Sequence, residues 1–392
     1  MRITPEFRLF CLALRRPQRE EDIAALRREI AAGPDWDSVI EGARRHRVAP
    51  LLLAGLHACR SPYVPTTVVT GLRQQALAAA KRSLAQTGEI RRLSHIFAQA
   101  EIRILALKGV VLSAQLFGDP GLRNPRDIDL LADPNEFTRA EALLVEAGYR
   151  RSGPILSPRQ TAAYRRWVKD TRYFHATAGI GVELHHRLSD NPALIPFDFA
   201  MLWREREEVE IAGALIATLP RRHLPLYLCV HGAGHCWEEL RWLIDLAAAL
   251  QQPGAADAAL AAADAAGLGA PMLHALMLVH DLLAVPTEEH HRAQARGERR
   301  VARLDRILSH FYTGSAWYQL PPRASFAAFL RYSLWLRLYT YSLKAQWRYW
   351  VHQAMREFVT PADWDAVRLP DSLFWLFPLV RPIGWLVRRW RR

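Results

Sequence analysis

Apolar residues recur three or four positions apart through the first hundred residues, which predicts a series of helices. The period runs through Ile23, Leu26 and Ile30, and a longer periodic stretch covers residues 66–100. Near residue 101 the pattern changes to short apolar runs separated by glycine and polar loops, as in strands that alternate with short helices. The pattern therefore predicts a helical region over residues 1–100 and a compact α/β unit over residues 101–220.

Strands are predicted at three places in the α/β unit. Ile102 to Leu105 forms a short one, and after a break at Lys108-Gly109 the segment Val110 to Phe117 predicts a helix of about two turns. In the segment from Asp127 to Leu131 the acids and the aliphatics alternate, as in a strand with one polar and one apolar face. A strand pair follows, with strands at Arg172–Thr177 and Val182–Leu188 and a tight turn at Ala178-Gly179-Ile180-Gly181.

The rest of the chain predicts helices. We expect a helical domain over residues 221–320 and a helical C-terminal region, rich in aromatic and basic residues, over residues 321–392. Prolines interrupt this part near Pro286, Pro321-Pro322, Pro361 and Pro370. The predicted fold class is α+β (mixed), a small sheet flanked by mostly helical N- and C-terminal regions.

Composition narrows the class of protein. The 392 residues include 52 Lys and Arg against 39 Asp and Glu, a formal charge of +13, and half are hydrophobic, which excludes a disordered chain. Four cysteines without a framework spacing exclude a disulfide-stapled scaffold. The longest uncharged stretches have 16 residues and are too short to span a bilayer, and no signal peptide is evident. We therefore expect a cytoplasmic protein.

Three acids are the candidate metal ligands. Asp127 and Asp129 are two positions apart on a predicted strand, so their carboxylates project from one face with Cα atoms about 7 Å apart. Glu183, on the second strand of the predicted pair, would bring a third carboxylate to that face if its strand lies alongside. Hard oxygen ligands select Mg²⁺, so the acids predict a site for one or two divalent ions that hold a triphosphate.

The segment before these acids suits phosphate groups. Lys108-Gly109 stands where a strand gives way to a helix, and the free N–H groups of a helix N-terminus attract anions. Arg123 and Arg126 come shortly before Asp127 and could neutralise the phosphates or a pyrophosphate leaving group. His185 should face the same way as Glu183, two positions before it, and is a further candidate for substrate contact.

Together these segments resemble the DNA polymerase β-like nucleotidyltransferase superfamily, and within it a bacterial family of largely uncharacterised nucleotidyltransferases. The resemblance implies a small mixed sheet with helices behind it, metal-binding aspartates at Asp127 and Asp129, a third acid at Glu183, and transfer of a nucleoside monophosphate from an NTP. It is carried by Leu107-Lys108-Gly109, Arg123, residues 127–131, Val182-Glu183-Leu184-His185-His186, and residues 226–235 and 240–246.

The chain departs from the usual phosphate loop of that superfamily, which contains Gly-Ser. Here Val110 follows Gly109, and eighteen positions separate Gly109 from Asp127, a longer spacing than usual. Ser113, one helical turn further on, is a candidate replacement for the missing serine.

Three residues of the helical region allow two readings. His231 and His235, four positions apart on a predicted helix, are either a zinc pair or, as we favour, hydrogen-bonded residues where the helices meet the α/β unit near the nucleotide. Asp245 is either a pocket residue or a hydrogen-bond acceptor between helices, and the structural role is favoured.

The leading interpretation is an enzyme, a Mg²⁺-dependent nucleotidyltransferase, with Mn²⁺ as an alternative metal, that moves a nucleoside monophosphate from an NTP to an unidentified acceptor. The alternative is a catalytically inactive nucleotide-binding or membrane-proximal adaptor protein, since a fold does not guarantee an activity. In the leading interpretation the catalytic and metal-binding residues are Asp127, Asp129 and Glu183. The residues that bind nucleotide or phosphate are Lys108, Gly109, Arg123, Arg126 and His185.

The last third of the chain suggests a partner. Trp335, Trp347 and Trp350 are interleaved with arginines, and the chain ends in Arg388-Arg389-Trp390-Arg391-Arg392. Tryptophan beside arginine suits the headgroup region of an anionic membrane, so peripheral contact with the inner face of the membrane is one reading. The other is a helical hairpin that packs its aromatics on the core. A nucleic-acid partner is disfavoured because no recognisable binding motif is present.

Overall fold

Residues 3–100 are mostly helical, as the apolar period predicted. The computed structural model describes residues 3–153, 155–312, 325–359 and 361–390, and in them helices alone precede the first strand. These helices are α1 (Pro5–Leu14), α2 (Glu20–Ala31), α3 (Trp36–His46), α4 (Ala49–Cys59) and α5 (Thr66–Gln99).

A seven-stranded mixed sheet follows within the described residues. The strand order is β3-β4-β5-β2-β1-β7-β6; β2 is parallel to β5 and β1 to β7, and the other neighbours are antiparallel. The flanked mixed sheet confirms the predicted fold class. The strands are β1 (Ile104–Ala106), β2 (Asp127–Ala132), β3 (Arg150–Arg151), β4 (Asp170–His175), β5 (Ile180–His185), β6 (Glu207–Ile211) and β7 (Ala214–Thr218).

Four helices are interleaved with the strands: α6 (Gly109–Phe117), α7 (Phe137–Glu146), α8 (Pro158–Trp167) and α9 (Phe199–Arg204). The first of them confirms the short helix predicted after Lys108-Gly109. It ends because Gly118 adopts a left-handed conformation (φ +72°) that closes the last turn.

The two faces of the central strands differ in polarity. Ile128 and Leu130 of β2 are buried in a core cluster that also contains Ile90, Leu93 and Phe97 of α5. The residues that alternate with Ile128 and Leu130 point to the opposite face, because successive side chains of a strand alternate. Burial of the apolar face against α5 therefore fixes which side of the sheet carries the acids.

The strand pair β4 and β5 is present, but its turn lies earlier than predicted. The turn covers residues 176–179, so β5 begins at Ile180 rather than Val182, and β4 ends at His175. Gly179 closes the turn in a left-handed conformation (φ +64°), and its N–H donates to the carbonyl of His175 at 2.8 Å. The glycine-rich run thus contributes one glycine to the turn and the other, Gly181, to the strand.

The hairpin of β6 and β7 was missed. It attaches to β1 where Ala106 pairs with Thr218, and the Thr218 hydroxyl donates to the Ala106 carbonyl at 2.6 Å. Its turn contains Ala212 (φ +51°) and Gly213 (φ +77°), a local signal that sequence reading could have used.

The rest of the described chain is helical, as predicted. The break predicted near Pro286 falls between α13 and α14, and Pro361 opens α18. Pro321-Pro322 and Arg391-Arg392 lie outside the described residues. No described helix has both the length and the hydrophobicity that a bilayer span needs. The helices are α10 (Leu224–Gly234), α11 (Leu240–Ala249), α12 (Ala255–Ala265), α13 (Gly269–Leu283), α14 (Glu289–Gly297), α15 (Arg299–Tyr312), α16 (Phe326–Ser342), α17 (Trp347–Arg356), α18 (Pro361–Ala366) and α19 (Phe377–Trp390).

Candidate active site

The three predicted acids lie on one face of the sheet. Asp127 and Asp129 alternate with Ile128 on β2, and Asp129 pairs directly with Glu183 of the parallel strand β5. Paired residues of neighbouring strands project to the same side of a sheet. The predicted convergence of acids from two separate stretches of chain is therefore present in the structure.

The polar face continues onto β4. Arg172 pairs with Glu183, and its Nε lies 2.9 Å from Glu183 Oε1. Asp170 pairs with His185, whose imidazole is buried. On this face the acids of β2 and β5 are thus followed by Arg172 of β4 beside Glu183, and by Asp170 of β4 beside His185.

Asp129, Glu183 and His185 bring their potential ligand atoms within 4.8 Å of one another. His185 Nε2 lies 3.1 Å from Asp129 Oδ1 and 3.7 Å from Glu183 Oε2. Two carboxylates and an imidazole are ligands for divalent cations, although oxygen-only sites are the preference of Mg²⁺. The two carboxylates of this set fit a divalent metal ion, and the imidazole lies within reach of both.

The half-buried Asp127 adds negative charge beside that cluster. Burial raises the pKa of its carboxyl to about 6, and the negative charges of Asp129 and Glu183 add to the effect. The contribution of Asp129 and Glu183 shows that their negative charge acts on Asp127, although Lys108 and Arg47 oppose it. A bound cation would balance it.

Lys108 lies against the acids. Its Nζ is 2.7 Å from Asp129 Oδ1. Burial would raise the pKa of Asp129, but Lys108 and His185 hold it well below its usual range, so Asp129 is ionised. Burial and Lys169 would lower the pKa of His185, yet its hydrogen bond to Asp129 and the nearby Glu183 carboxylate raise it.

Gly109 begins α6 directly beside this contact. Its backbone is left-handed (φ +68°), a conformation that glycine adopts without strain. Its carbonyl accepts a hydrogen bond from Arg123 Nη1 at 3.2 Å. The junction before α6 is thereby fixed by a side chain from the following loop.

Arg123 is buried rather than open to a ligand. Its Nη2 lies 2.7 Å from Oδ2 of Asp245 on α11, and both side chains are almost fully buried. This geometry suits positioning of Gly109 better than direct contact with phosphate. It also assigns to Asp245 the structural role that the sequence favoured.

Ser113 does not replace the serine of the usual phosphate loop. Its hydroxyl donates to the carbonyl of Asp119 at 2.6 Å and accepts from the backbone N–H of Arg123 at 3.2 Å. The side chain is fully buried. It organises the loop between α6 and β2.

Arg126 belongs to a group of arginines that are distant in sequence but close together in the structure. Arg126 is largely exposed, and its Nη2 lies 4.0 Å from Oε1 of Glu239, while Arg241 Nη2 lies 2.8 Å from the other oxygen. Burial lowers the pKa of Arg47 to about 9, and the positive charges of Arg241 and Arg126 contribute. Such crowding of cations suits a polyanion.

These arginines lie on the Asp127 side of the site. The positive charge of Arg47 lowers the pKa of the Asp127 carboxyl against the larger effects that raise it. The Arg47 guanidinium also donates to the carbonyl of Asn124 in the loop before β2. Arg47 lies between α3 and α4, and nothing in its local sequence pattern marks it as a site residue.

A cavity of about 130 Å³ adjoins the other side of the site. Lys169 lines it, and the Lys169 Nζ lies 2.9 Å from Asp170 Oδ2 and 3.5 Å from His185 Nδ1. His231 and His235 of α10 line it too. Burial lowers the pKa of His231 well below its usual value, and the positive charges of Lys108 and Lys169 reinforce the effect.

The placement of these two histidines favours a position where the helices meet the α/β unit over a zinc pair. Their ring centroids are 5.1 Å apart, and both rings pack against Trp242. Among the residues that the structure describes, neither belongs to a group of three metal-binding side chains. Their position beside Lys169 places them next to the candidate active site.

Comparison with known families identifies a family to which the chain is similar. A family described as an uncharacterised nucleotidyltransferase matches residues 32–284, more than half of the chain. The matched stretch includes β2, β5 and every residue of the candidate active site. No curated protein matches the chain.

Proposed function

The chain belongs to the family of uncharacterised nucleotidyltransferases, and from that premise we propose that it transfers a nucleoside monophosphate from an NTP to a hydroxyl-bearing acceptor with the help of Mg²⁺ or Mn²⁺. The reaction joins the acceptor oxygen to the α-phosphorus, breaks the bond to the β-phosphate and releases pyrophosphate. The acceptor proton passes to a neighbouring base.

One observation carries the proposal. Asp129 and Glu183 are paired across β2 and β5, and their carboxylates converge with the His185 imidazole within 4.8 Å. The half-buried Asp127 lies on the same face, with the pKa of its carboxyl raised to about 6 chiefly by burial and then by these two acids. Acids gathered in this way destabilise one another unless a cation joins them.

In the proposal Asp127, Asp129 and Glu183 hold the metal, as the resemblance to polymerase β-like enzymes implies. A bound divalent ion would neutralise triphosphate charge and lower the pKa of the attacking hydroxyl. Arg172 holds Glu183 Oε1 at 2.9 Å and so orients its carboxylate. His185 orients both Asp129 and Glu183 through its Nε2.

Lys108 and the arginines would handle the phosphates. The Lys108 ammonium neutralises Asp129 in the structure, and in the proposal the same ammonium pairs with a phosphate oxygen of the substrate. Arg126, the exposed arginine of its group, would stabilise the charge that develops on pyrophosphate, and the less exposed Arg47 and Arg241 would add positive charge beside it. Arg123 is a positioning residue that acts through the Gly109 carbonyl.

The rival is an inactive protein that keeps the fold for nucleotide binding or assembly. The observation in its favour is that Lys108 Nζ and His185 Nε2 both already contact Asp129 Oδ1, as in a purely structural ion-pair network. Such a protein would bind nucleotide without turnover.

A labelling experiment tests the proposal. The purified protein is incubated with the four NTPs, Mg²⁺ or Mn²⁺ and a cell extract, and the products are searched by mass spectrometry for nucleotidylated species. We expect a product that the wild type makes and that Asp127→Asn/Asp129→Asn does not make, although the variant folds. Nucleotide binding without any product or pyrophosphate would favour the rival.

A further inference from the structure

Large hydrophobic side chains are exposed mainly near the C-terminus. In the part of the chain that the structure describes, ten of the seventeen that are largely exposed lie between residues 326 and 383. These ten are Phe326, Leu330, Leu334, Trp347, Trp350, Val351, Leu373, Trp375, Leu379 and Ile383. Exposed apolar side chains scattered singly are ordinary, but such a concentration marks an interaction surface.

On α16 they form a stripe. Leu330 is 55% exposed and Leu334 is 53% exposed, and Phe326 continues the row one turn earlier. Spacing of four residues places side chains one above another on a helix. The opposite side of α16 carries Tyr339, which is fully buried and whose hydroxyl accepts a hydrogen bond from Trp237 Nε1 at 3.1 Å.

Helix α17 adds two tryptophans. Trp347 is 66% exposed, and the Arg348 guanidinium lies 5.5 Å from the centre of its ring. Trp350 is also exposed, and its Nε1 donates to the Tyr341 carbonyl at 3.1 Å, which fixes α17 against the end of α16. The two helices that carry these exposed residues are therefore held together.

The C-terminal region carries mostly positive charge. Residues 326–392 contain eleven Lys and Arg against four Asp and Glu, more than half of the net charge of the whole chain. The sequences of α16 and α17 contain arginine and no acid. Two of their arginines are ion-paired with acids of neighbouring segments, Arg337 with Glu357 and Arg356 with Asp190. The helices themselves add only positive charge to the exposed tryptophan and leucine side chains, and that combination matches an anionic headgroup layer better than a protein partner or a second copy, which would gain from salt bridges of both signs.

We propose that α16 and α17 form a docking surface for an anionic lipid bilayer, on which the protein lies peripherally. Leu330, Leu334 and Trp347 would enter the boundary between headgroups and acyl chains, and Arg348 would face lipid phosphates. Binding would combine burial of apolar area with attraction between opposite charges.

The same two helices also border the candidate active site. Thr340, Leu343, Tyr349, Gln353 and Arg356 line the cavity that contains Lys169. Membrane docking would therefore hold that cavity close to the lipid surface. The docking itself does not depend on nucleotidyl transfer, so either proposal can fail without the other.

Sedimentation with vesicles tests the docking. We expect the full chain to bind phosphatidylglycerol/phosphatidylcholine vesicles and not pure phosphatidylcholine vesicles, with binding weakened by salt. Leu330→Ser/Leu334→Ser/Trp347→Ser should lower the partition coefficient by about tenfold or more, because three exposed apolar side chains leave the contact.

A matched control uses exposed residues that are distant in sequence from α16 and α17. Leu77→Ser/Leu84→Ser/Leu215→Ser alters side chains of similar exposure and should bind vesicles like the wild type. Arg348→Gln, which removes one charge and no apolar contact, should weaken binding to anionic vesicles by a smaller factor.

Four outcomes would overturn the proposal. They are no binding to anionic vesicles, equal binding to both vesicle types, equal losses in the two triple variants, and a wild-type dimer that only the α16 and α17 triple variant converts to a monomer. The last would assign the surface to a second copy of the chain.

Discussion

Arg123 and Asp245 form a buried ion pair between the loop that precedes β2 and helix α11, with Nη2 and Oδ2 2.7 Å apart. The same guanidinium donates to the Gly109 carbonyl. One side chain thus joins the candidate phosphate site to the helical region behind it.

Removal of one partner of this pair should be costly. Asp245→Asn leaves a buried guanidinium without its counter-ion, so we expect a loss of about 3–5 kcal/mol in the free energy of unfolding, measured by urea denaturation. The paired replacement Arg123→Met/Asp245→Leu should recover much of that loss, because neither charge remains buried. Equal losses in the single and double variants would show that the ion pair is not the source of the effect.

Gly109→Ala should affect both stability and transfer. The left-handed backbone (φ +68°) would cost about 1 kcal/mol with a Cβ present, while the nearest atoms at 3.7 Å leave room for the methyl group. Gly118→Ala at the other end of α6 (φ +72°) provides the matched control, since no atom lies within 4 Å. We expect similar losses of thermal stability in both variants, and reduced nucleotidyl transfer only in Gly109→Ala.

Stability should fall as the pH is lowered, and His274 should contribute. Burial lowers the pKa of His274 to about 3, so the unfolded chain binds a proton between pH 6.5 and 3 that the folded chain excludes. The free energy of unfolding should therefore decrease by up to about 1.4 kcal/mol per pH unit from this residue as the pH falls through that window.

Urea unfolding at pH 7, 6 and 5 measures this slope. His274→Gln should reduce the slope by an amount that corresponds to about one bound proton. An unchanged slope in His274→Gln would contradict the assignment.

Metal binding should depend on the protonation of Asp127. Because burial and the neighbouring acids raise the pKa of its carboxyl to about 6, protons compete with the metal below that pH. We expect Mn²⁺ to raise the melting temperature at pH 7.5 and to raise it much less at pH 5.5. In Asp127→Asn the stabilisation should be smaller at pH 7.5 and nearly independent of pH; an equal stabilisation of wild type and variant would place the metal elsewhere.

The acidic face was predictable because its signals are local. Alternation of Asp127, Ile128 and Asp129 specifies a strand face, and the apolar neighbours of Glu183 do the same for β5. The sequence does not predict that β2 and β5 are neighbours, because that depends on the order of the strands in the sheet.

Other parts of the site depend on tertiary packing and could not be predicted. Arg47 and Lys169 lie outside the motifs and reach the site only because their elements pack beside it. The burial of Arg123 depends on Asp245, a partner 122 positions away on another helix. A sequence pattern predicts which side chains share one face of a helix or strand. It does not predict which charged residue, distant in sequence, packs against that face.

Pyrophosphate release by Asp129→Asn and Glu183→Gln tests the account most directly, measured with NTPs, Mg²⁺ and the acceptor-containing extract. Asp133→Asn is the control, since Asp133 is as buried as Asp129 and is ion-paired with Arg103 outside the acid cluster. We predict that each site variant loses about a hundredfold or more in rate, that the double variant is no slower than the singles, and that Asp133→Asn retains activity when folded. Release at the wild-type rate from folded Asp129→Asn or Glu183→Gln would contradict the account.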